Sequence, residues 1–175
     1  TEALDPIMPQ YLGDLFSWMA IGQRASESNA HREMASGLSM PVGFKNAPRR
    51  GGIETAVKAI RTASRPHAFL GVSEDGMTAV FNTGGNSYSH LVLRGGDSPN
   101  YGRLSIGEAE RELKKAGLPA RIVVDCSHGN SEHDPRNQAE VMHDILAQIE
   151  NGNNSIVGFM LEGYLEWGRQ QINPD

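Results

Sequence analysis

Six ionisable residues share one arrangement: each follows a short apolar run within a few positions. Residues 19–22 lead to Arg24, 41–44 to Lys45, 90–93 to Arg94, 122–124 to Asp125 and His128, and 156–161 to Glu162. Three cations brought together would make a pocket for an anion, phosphate and carboxylate above all. One imidazole and one carboxylate beside them would supply half of a divalent-metal site. A charge just past a strand is often only a solvated strand end, so a single case carries little weight. Five such ends point to a site without naming a reaction.

Other chemistry-bearing patterns are weak. The chain has no G-x-x-x-x-G-K-[ST] and no G-x-G-x-x-G, so no nucleotide loop is expected. His31-Arg32-Glu33 satisfies H-x-E, but no P-C-x-x-C follows, which argues against a zinc deaminase. Cys126 and His128 could pair as nucleophile and base, but no third group orients them, and a buried structural cysteine is the preferred reading. His67 and His90 begin apolar runs and read as hydrogen-bonded structural residues.

The elements that must position these residues alternate. Residues 11–18 look helical, and 19–22 form a buried strand. Ser26 or Ser28 can cap a helix that runs through Ser36 and stops at Gly37. Strand 41–44 precedes a helix over 53–64, with apolar positions 53, 56, 57 and 60. A third strand, 67–72, is followed by strands 77–81 and 90–93 with a glycine turn at Gly84-Gly85. Ser105-Ile106-Gly107-Glu108 reads as a capping box opening a helix to Ala116. Strand 122–124, helix 137–150 and strand 156–161 complete the series. Strands that are apolar throughout and alternate with helices imply a parallel sheet buried on both faces. In such folds the carboxyl ends of the strands hold the site.

Composition narrows the class. The chain has 175 residues, 16 basic and 21 acidic, for a net charge of −5, and is 38 % hydrophobic. That supplies a core for one domain and argues against a nucleic-acid-coating surface. No apolar run approaches the ~18 residues of a membrane span, and residues 1–10 carry no basic cluster of a signal peptide. One cysteine excludes an internal disulfide and any multi-cysteine zinc site, and fits a reducing, cytoplasmic setting.

Several strings carry a resemblance. Ile21-Gly22-Gln23-Arg24-Ala25-Ser26-Glu27-Ser28, Ala35-Ser36-Gly37-Leu38-Ser39 and Pro41-Val42-Gly43-Phe44-Lys45-Asn46 are three. Leu93-Arg94-Gly95-Gly96 with Pro99-Asn100-Tyr101, Asp125-Cys126-Ser127-His128-Gly129-Asn130-Ser131 and Gly158-Phe159-Met160-Leu161-Glu162 are the others. In this order they resemble the type I 3-deoxy-D-arabino-heptulosonate 7-phosphate (DAHP) synthases, across nearly the whole chain. The resemblance implies an α/β fold, a (β/α)8 TIM barrel, of which this single domain, residues 1–175, holds roughly strands 4 to 8 and an inserted β-hairpin. It implies condensation of phosphoenolpyruvate with erythrose 4-phosphate, the first step of the shikimate pathway. Arg24, Lys45 and Arg94 match the positions that hold phosphoenolpyruvate, with Glu2 and the Gln23 backbone lining the pocket. His128 and Glu162 match ligands of a divalent metal of the Mn, Fe, Co or Zn type.

The resemblance further implies a homo-oligomer without nucleic-acid or membrane partners, and feedback inhibition by an aromatic amino acid. Phe69 and Gly71 match inhibitor-site positions, glycine at the latter favouring tyrosine. The hairpin contributing to that site is expected from 77–81 and 90–93, with 67–72 in the barrel. This chain also departs from the family. The G-P-C-S, K-P-R-T and T-D-A-C segments are absent, and Ala47-Pro48-Arg49-Arg50 replaces G-T-D-G. The 175-residue piece alone is therefore expected to be inactive. A non-catalytic anion-binding homologue and another metal-dependent aldolase are the alternatives.

Overall fold

The computed structural model describes residues 1–7, 13–49, 51–73 and 75–163. Six strands form one sheet: β1 (Glu2–Ala3), β2 (Met19–Ile21), β3 (Val42–Lys45), β6 (His90–Leu93), β7 (Ile122–Asp125) and β8 (Ile156–Met160). Every pairing between neighbours is parallel, in the order β1-β2-β3-β6-β7-β8. The arc does not close on itself: β1 and β8 each have one partner among the described residues. β2, β3, β6 and β7 are buried along their whole length, as their unbroken apolar runs require.

Helices α1 (Asn29–Gly37), α2 (Gly52–Ala63), α3 (Arg103–Lys115) and α4 (Gln138–Glu150) cross between the strands. Their apolar stripes join the sheet in one core containing Phe44, Ile60, Leu91, Ile106, Ile122 and Ile145. Ser28, one of the two candidate caps, accepts from the His31 amide at the start of α1. The Ser105 capping box does not form. α3 begins at Arg103 behind Gly102, with no side chain bonded to its first turn. Of the helix expected over 11–18, residues 11 and 12 lie outside the described residues, and Gly13–Leu15 is a single 3-10 turn.

The hairpin is the main correction. β4 (His67–Val72) does not enter the sheet but pairs antiparallel with β5 (Thr78–Thr83), from His67↔Thr83 to Val72↔Thr78. The strand expected at the end of the hairpin, β6, joins the main sheet between β3 and β7 instead. A short connection carrying a Ser73 N–H bond to the Met77 carbonyl (2.8 Å) favours pairing of its immediate neighbours. Burial separates the two classes: β4 and β5 are half-exposed ribbons, whereas β6 is buried at all four positions.

The structural histidines behave as expected. Trp18 Nε1 donates to His90 Nε2 (3.0 Å), which leaves the proton on Nδ1 for the Tyr88 carbonyl (3.0 Å). Burial pushes the His90 imidazole below its ordinary value and keeps it neutral. His67 Nε2 lies 2.9 Å from the Thr62 carbonyl.

β8 exposes Val157 and Phe159 at 58 and 41 %, and Leu161 just past its end is 52 % exposed. An unpaired edge with apolar side chains is a template for association. The 175-residue chain by itself is expected to self-associate at tens of micromolar in light scattering. The double substitution Val157→Lys, Phe159→Lys should reduce that association. A concentration-independent monomer would contradict this account of the edge.

Candidate active site

The strand ends bring the six residues together with Glu2. Lys45 is the last residue of β3 and Asp125 the last of β7. Arg94 follows β6, and Gln23 and Arg24 follow β2. Glu2, Gln23, Arg24, Lys45, Arg94 and His128 line one cavity of about 430 Å³.

Asp125 is fully buried. Its Oδ1 accepts from the Ser127 hydroxyl (2.5 Å) and amide (3.0 Å). Its Oδ2 lies 3.0 Å from His128 Nδ1 and 3.4 Å from Lys45 Nζ. Burial alone would raise the Asp125 carboxyl, but bonds from His128 and Ser127 and the Lys45 charge overcome it and bring it to about 2. Lys45 also bonds Glu2 Oε2 at 2.9 Å. Burial works to lower the Lys45 ammonium, yet the Glu2 bond and the charges of Asp125, Glu2 and Glu162 hold it above its ordinary value.

Lys45 is thus committed to carboxylates, and the sequence expectation of three free cations reduces to two arginines. Arg94 is buried and donates from Nη1 to Gln23 Oε1 at 2.6 Å. Burial draws its guanidinium below the ordinary value against the pull of Asp125, Glu2 and Glu162. Arg24 is exposed at the cavity and forms no ion pair with a described residue. Two guanidiniums without a carboxylate partner suit a phosphate that brings its own charge.

Asp125, His128 and Glu162 each offer a ligand atom, all within 4.8 Å of one another. His128 Nδ1 is 3.8 Å from Glu162 Oε1. His128 sits at φ 56, in the left-handed region that non-glycine residues rarely occupy, and such strain gathers at functional sites. His128 Nδ1 faces Asp125, which leaves Nε2 as the other candidate donor atom of the ring, and the nitrogen-oxygen donor set suits a borderline divalent ion. Asp125 is the member that spacing alone did not assign to this cluster; its place directly at a strand end, three residues before His128, was the available signal. Cys126 is fully buried, and burial with the Asp125 charge pushes its thiol up to about 11, which removes the nucleophile reading.

The predicted regulatory positions lie elsewhere. Phe69 stacks on Phe81 at 6.0 Å between ring centres, and both line a second cavity of about 460 Å³ with residues of α1 and its following loop. Gly71 is two residues further along β4, on the same face of the ribbon, and is not in the cavity lining.

A parallel α/β sheet carrying cations, acids and an imidazole at its carboxyl ends defines an enzyme-like strand-end site. The whole chain, residues 1–175, matches the model of the DAHP synthetase I family, and the chain belongs to that family. It is 53 % identical over 170 residues to the Tyr-sensitive phospho-2-dehydro-3-deoxyheptonate aldolase of Salmonella typhimurium, covering 97 % of this chain and 48 % of that protein. It is 48 % identical over 171 residues to the Phe-sensitive enzyme of Escherichia coli, covering 98 % and 49 %. The structure of the Francisella tularensis phospho-2-dehydro-3-deoxyheptonate aldolase superposes with a TM-score of 0.94 at 46 % identity, over 99 % of this chain and 50 % of that one. The chain therefore spans about half the length of the relatives it matches.

The low value of Asp125 has a consequence for stability. A carboxyl at about 2, against an ordinary 3.8, contributes stability that is fully present above about pH 4 and is lost as pH falls through 2. The difference is worth about 2 kcal/mol. Urea midpoints between pH 5 and pH 2 should fall in the unmodified full-length chain, and Asp125→Asn should remove that part of the slope. Equal losses in both would show that Asp125 does not titrate as described.

Proposed function

We propose that this chain is part of a DAHP synthase that joins phosphoenolpyruvate and erythrose 4-phosphate, with water, to DAHP and phosphate. The observation that carries the reading is the shared cavity of Arg24, Lys45, Arg94 and His128, in a chain of this family. In this proposal the six-stranded arc is a portion of a (β/α)8 barrel, closed when the chain has the length of its relatives. Association into a homo-oligomer and a cytoplasmic setting belong to the same proposal; among the described residues no helix is long and apolar enough to cross a membrane.

Arg94 and Arg24 grip the phosphate of phosphoenolpyruvate, and the Gln23 side chain holds one Arg94 nitrogen in advance. Lys45, kept charged by Glu2 and Asp125, presents its ammonium to the same substrate. Asp125 orients the His128 ring. His128 and Glu162, with Asp125 beside them, would hold a divalent ion, whose chemistry when bound is Lewis-acid polarisation of the sugar-phosphate aldehyde.

In the full-length chain, His128→Ala should abolish metal-dependent synthase activity; activity retained at saturating manganese would count against its role as a ligand. Arg94→Lys should weaken phosphoenolpyruvate binding tens- to hundreds-fold, because a point charge does not replace a bidentate fork. Normal binding by that variant would sink the assignment.

The second cavity is proposed as the site of aromatic amino acid inhibition, with Phe69 supplying a ring face. Tyrosine should inhibit the full-length enzyme more strongly than phenylalanine, and Gly71→Ser should weaken that inhibition with substrate affinities unchanged. Equal insensitivity to both amino acids would remove the proposal.

A further inference from the structure

Three asparagines, Asn46, Asn100 and Asn130, have no part in the chemistry above. They follow β3, β6 and β7, and Asn46 and Asn130 are buried to 3 and 2 % exposure. Asn46 Oδ1 accepts from the Arg94 amide at 2.8 Å, and Asn46 Nδ2 donates to the Gly95 carbonyl at 3.1 Å and the Ala47 carbonyl at 2.9 Å. Asn100 Oδ1 accepts from the Gly95 amide at 2.8 Å, and Asn100 Nδ2 donates to Asn46 Oδ1 at 3.2 Å. Asn130 Nδ2 donates to the carbonyls of Leu93 (3.1 Å) and Asp125 (2.8 Å), and Asn130 Oδ1 accepts from the Asn100 amide at 2.7 Å.

Together they enclose the backbone at Arg94. The Leu93 carbonyl, Arg94 amide, Gly95 amide and Gly95 carbonyl are all taken by asparagine side chains, and the Gly129 amide takes the Arg94 carbonyl at 3.1 Å. At a strand end these groups would ordinarily be left to water. A primary amide is suited to the task because it carries donor and acceptor on one rigid plane and so bridges an N–H and a C=O of adjacent residues. The loops approach so closely that a Cβ on Gly95, at φ 74, would lie 2.4 Å from the Gly129 carbonyl carbon.

We propose that Asn46, Asn100 and Asn130 are positioning residues that lock the Arg94 backbone, so that its guanidinium stands in the anion cavity before the phosphate arrives. Freedom in that backbone would have to be lost on binding, and the loss would appear as weaker affinity. This rests on the reading of Arg94 as a phosphate contact. The network also reaches Asp125 through Asn130, so the loop with Arg94 and the strand with Asp125 are set relative to one another.

The test uses the full-length chain with Asn100→Ala and Asn100→Asp. The second keeps the size and the acceptor for Gly95, loses the donor to Asn46 and adds a negative charge. Its binding is compared at low and high salt to separate that charge from the lost bond, and it decides the matter if the first does not fold. Calorimetry should show phosphoenolpyruvate binding weakened about tenfold by either folded variant. KM for phosphoenolpyruvate should rise in proportion, with kcat, KM for erythrose 4-phosphate and manganese affinity within about twofold of the unmodified enzyme. Unchanged phosphoenolpyruvate affinity overturns the proposal. So does a parallel loss in both substrates and manganese with a lowered Tm, which marks a general structural role. Absence of phosphoenolpyruvate binding in the unmodified chain would instead sink the functional reading on which this rests.

Discussion

The buried carboxylate of Asp125 is the group around which the carboxyl end of the sheet is built. A charge without solvent is tolerated only when its oxygens are filled by donors and its field is answered by a cation. Lys45 meets those needs from β3, and Ser127 and His128 from the turn that follows β7. Removing any one of them leaves a buried charge short of partners. The same requirement commits Lys45 to its acids and turns the His128 ring, so one electrostatic demand sets the positions of two other site residues.

Charge balance follows from this core. Three acids, Glu2, Asp125 and Glu162, face the lysine, while Arg94 and Arg24 remain without carboxylates. Under the proposed function, a phosphate entering beside the arginines would meet donors that need no prior release from an ion pair. Arg94 has already been desolvated by its surroundings, which makes each bond to an incoming anion stronger than it would be in water.

The hairpin obeys different rules from the sheet. It is a two-stranded ribbon, too small to be stable unsupported, and it leans on α1. Ser36 Oγ meets Thr83 Oγ1 at 2.6 Å, and Asn86 Nδ2 reaches the carbonyls of Ala35, Leu38 and Met40 around the end of that helix. The opposite end of α1 begins at Asn29, five residues after Arg24. One short helix therefore borders the ribbon cavity at its C-terminus and follows the turn that carries Gln23 and Arg24 at its N-terminus.

The sequence by itself determined the α/β class, the strands at 19–21, 42–45, 90–93, 122–125 and 156–160 within a residue or two, and most of the residues that gather at the strand ends. These were legible because a strand buried on both faces needs an unbroken apolar run, and because a charge just beyond it marks where the run meets the cavity. The motif strings made the family readable as well. Partners across the sheet were not legible. Periodicity placed β4 in the barrel because it reports burial and not which neighbour supplies the hydrogen bonds. Local pattern equally could not show that Lys45 is neutralised by Glu2 and Asp125, that Gln23 holds Arg94 through its side chain, or that Asn46, Asn100 and Asn130 meet around one backbone segment. Apart from the local Gly95–Asn100 bond, those contacts join residues 30 to 80 positions apart, and only the parallel register that aligns the strand ends brings them within hydrogen-bond distance.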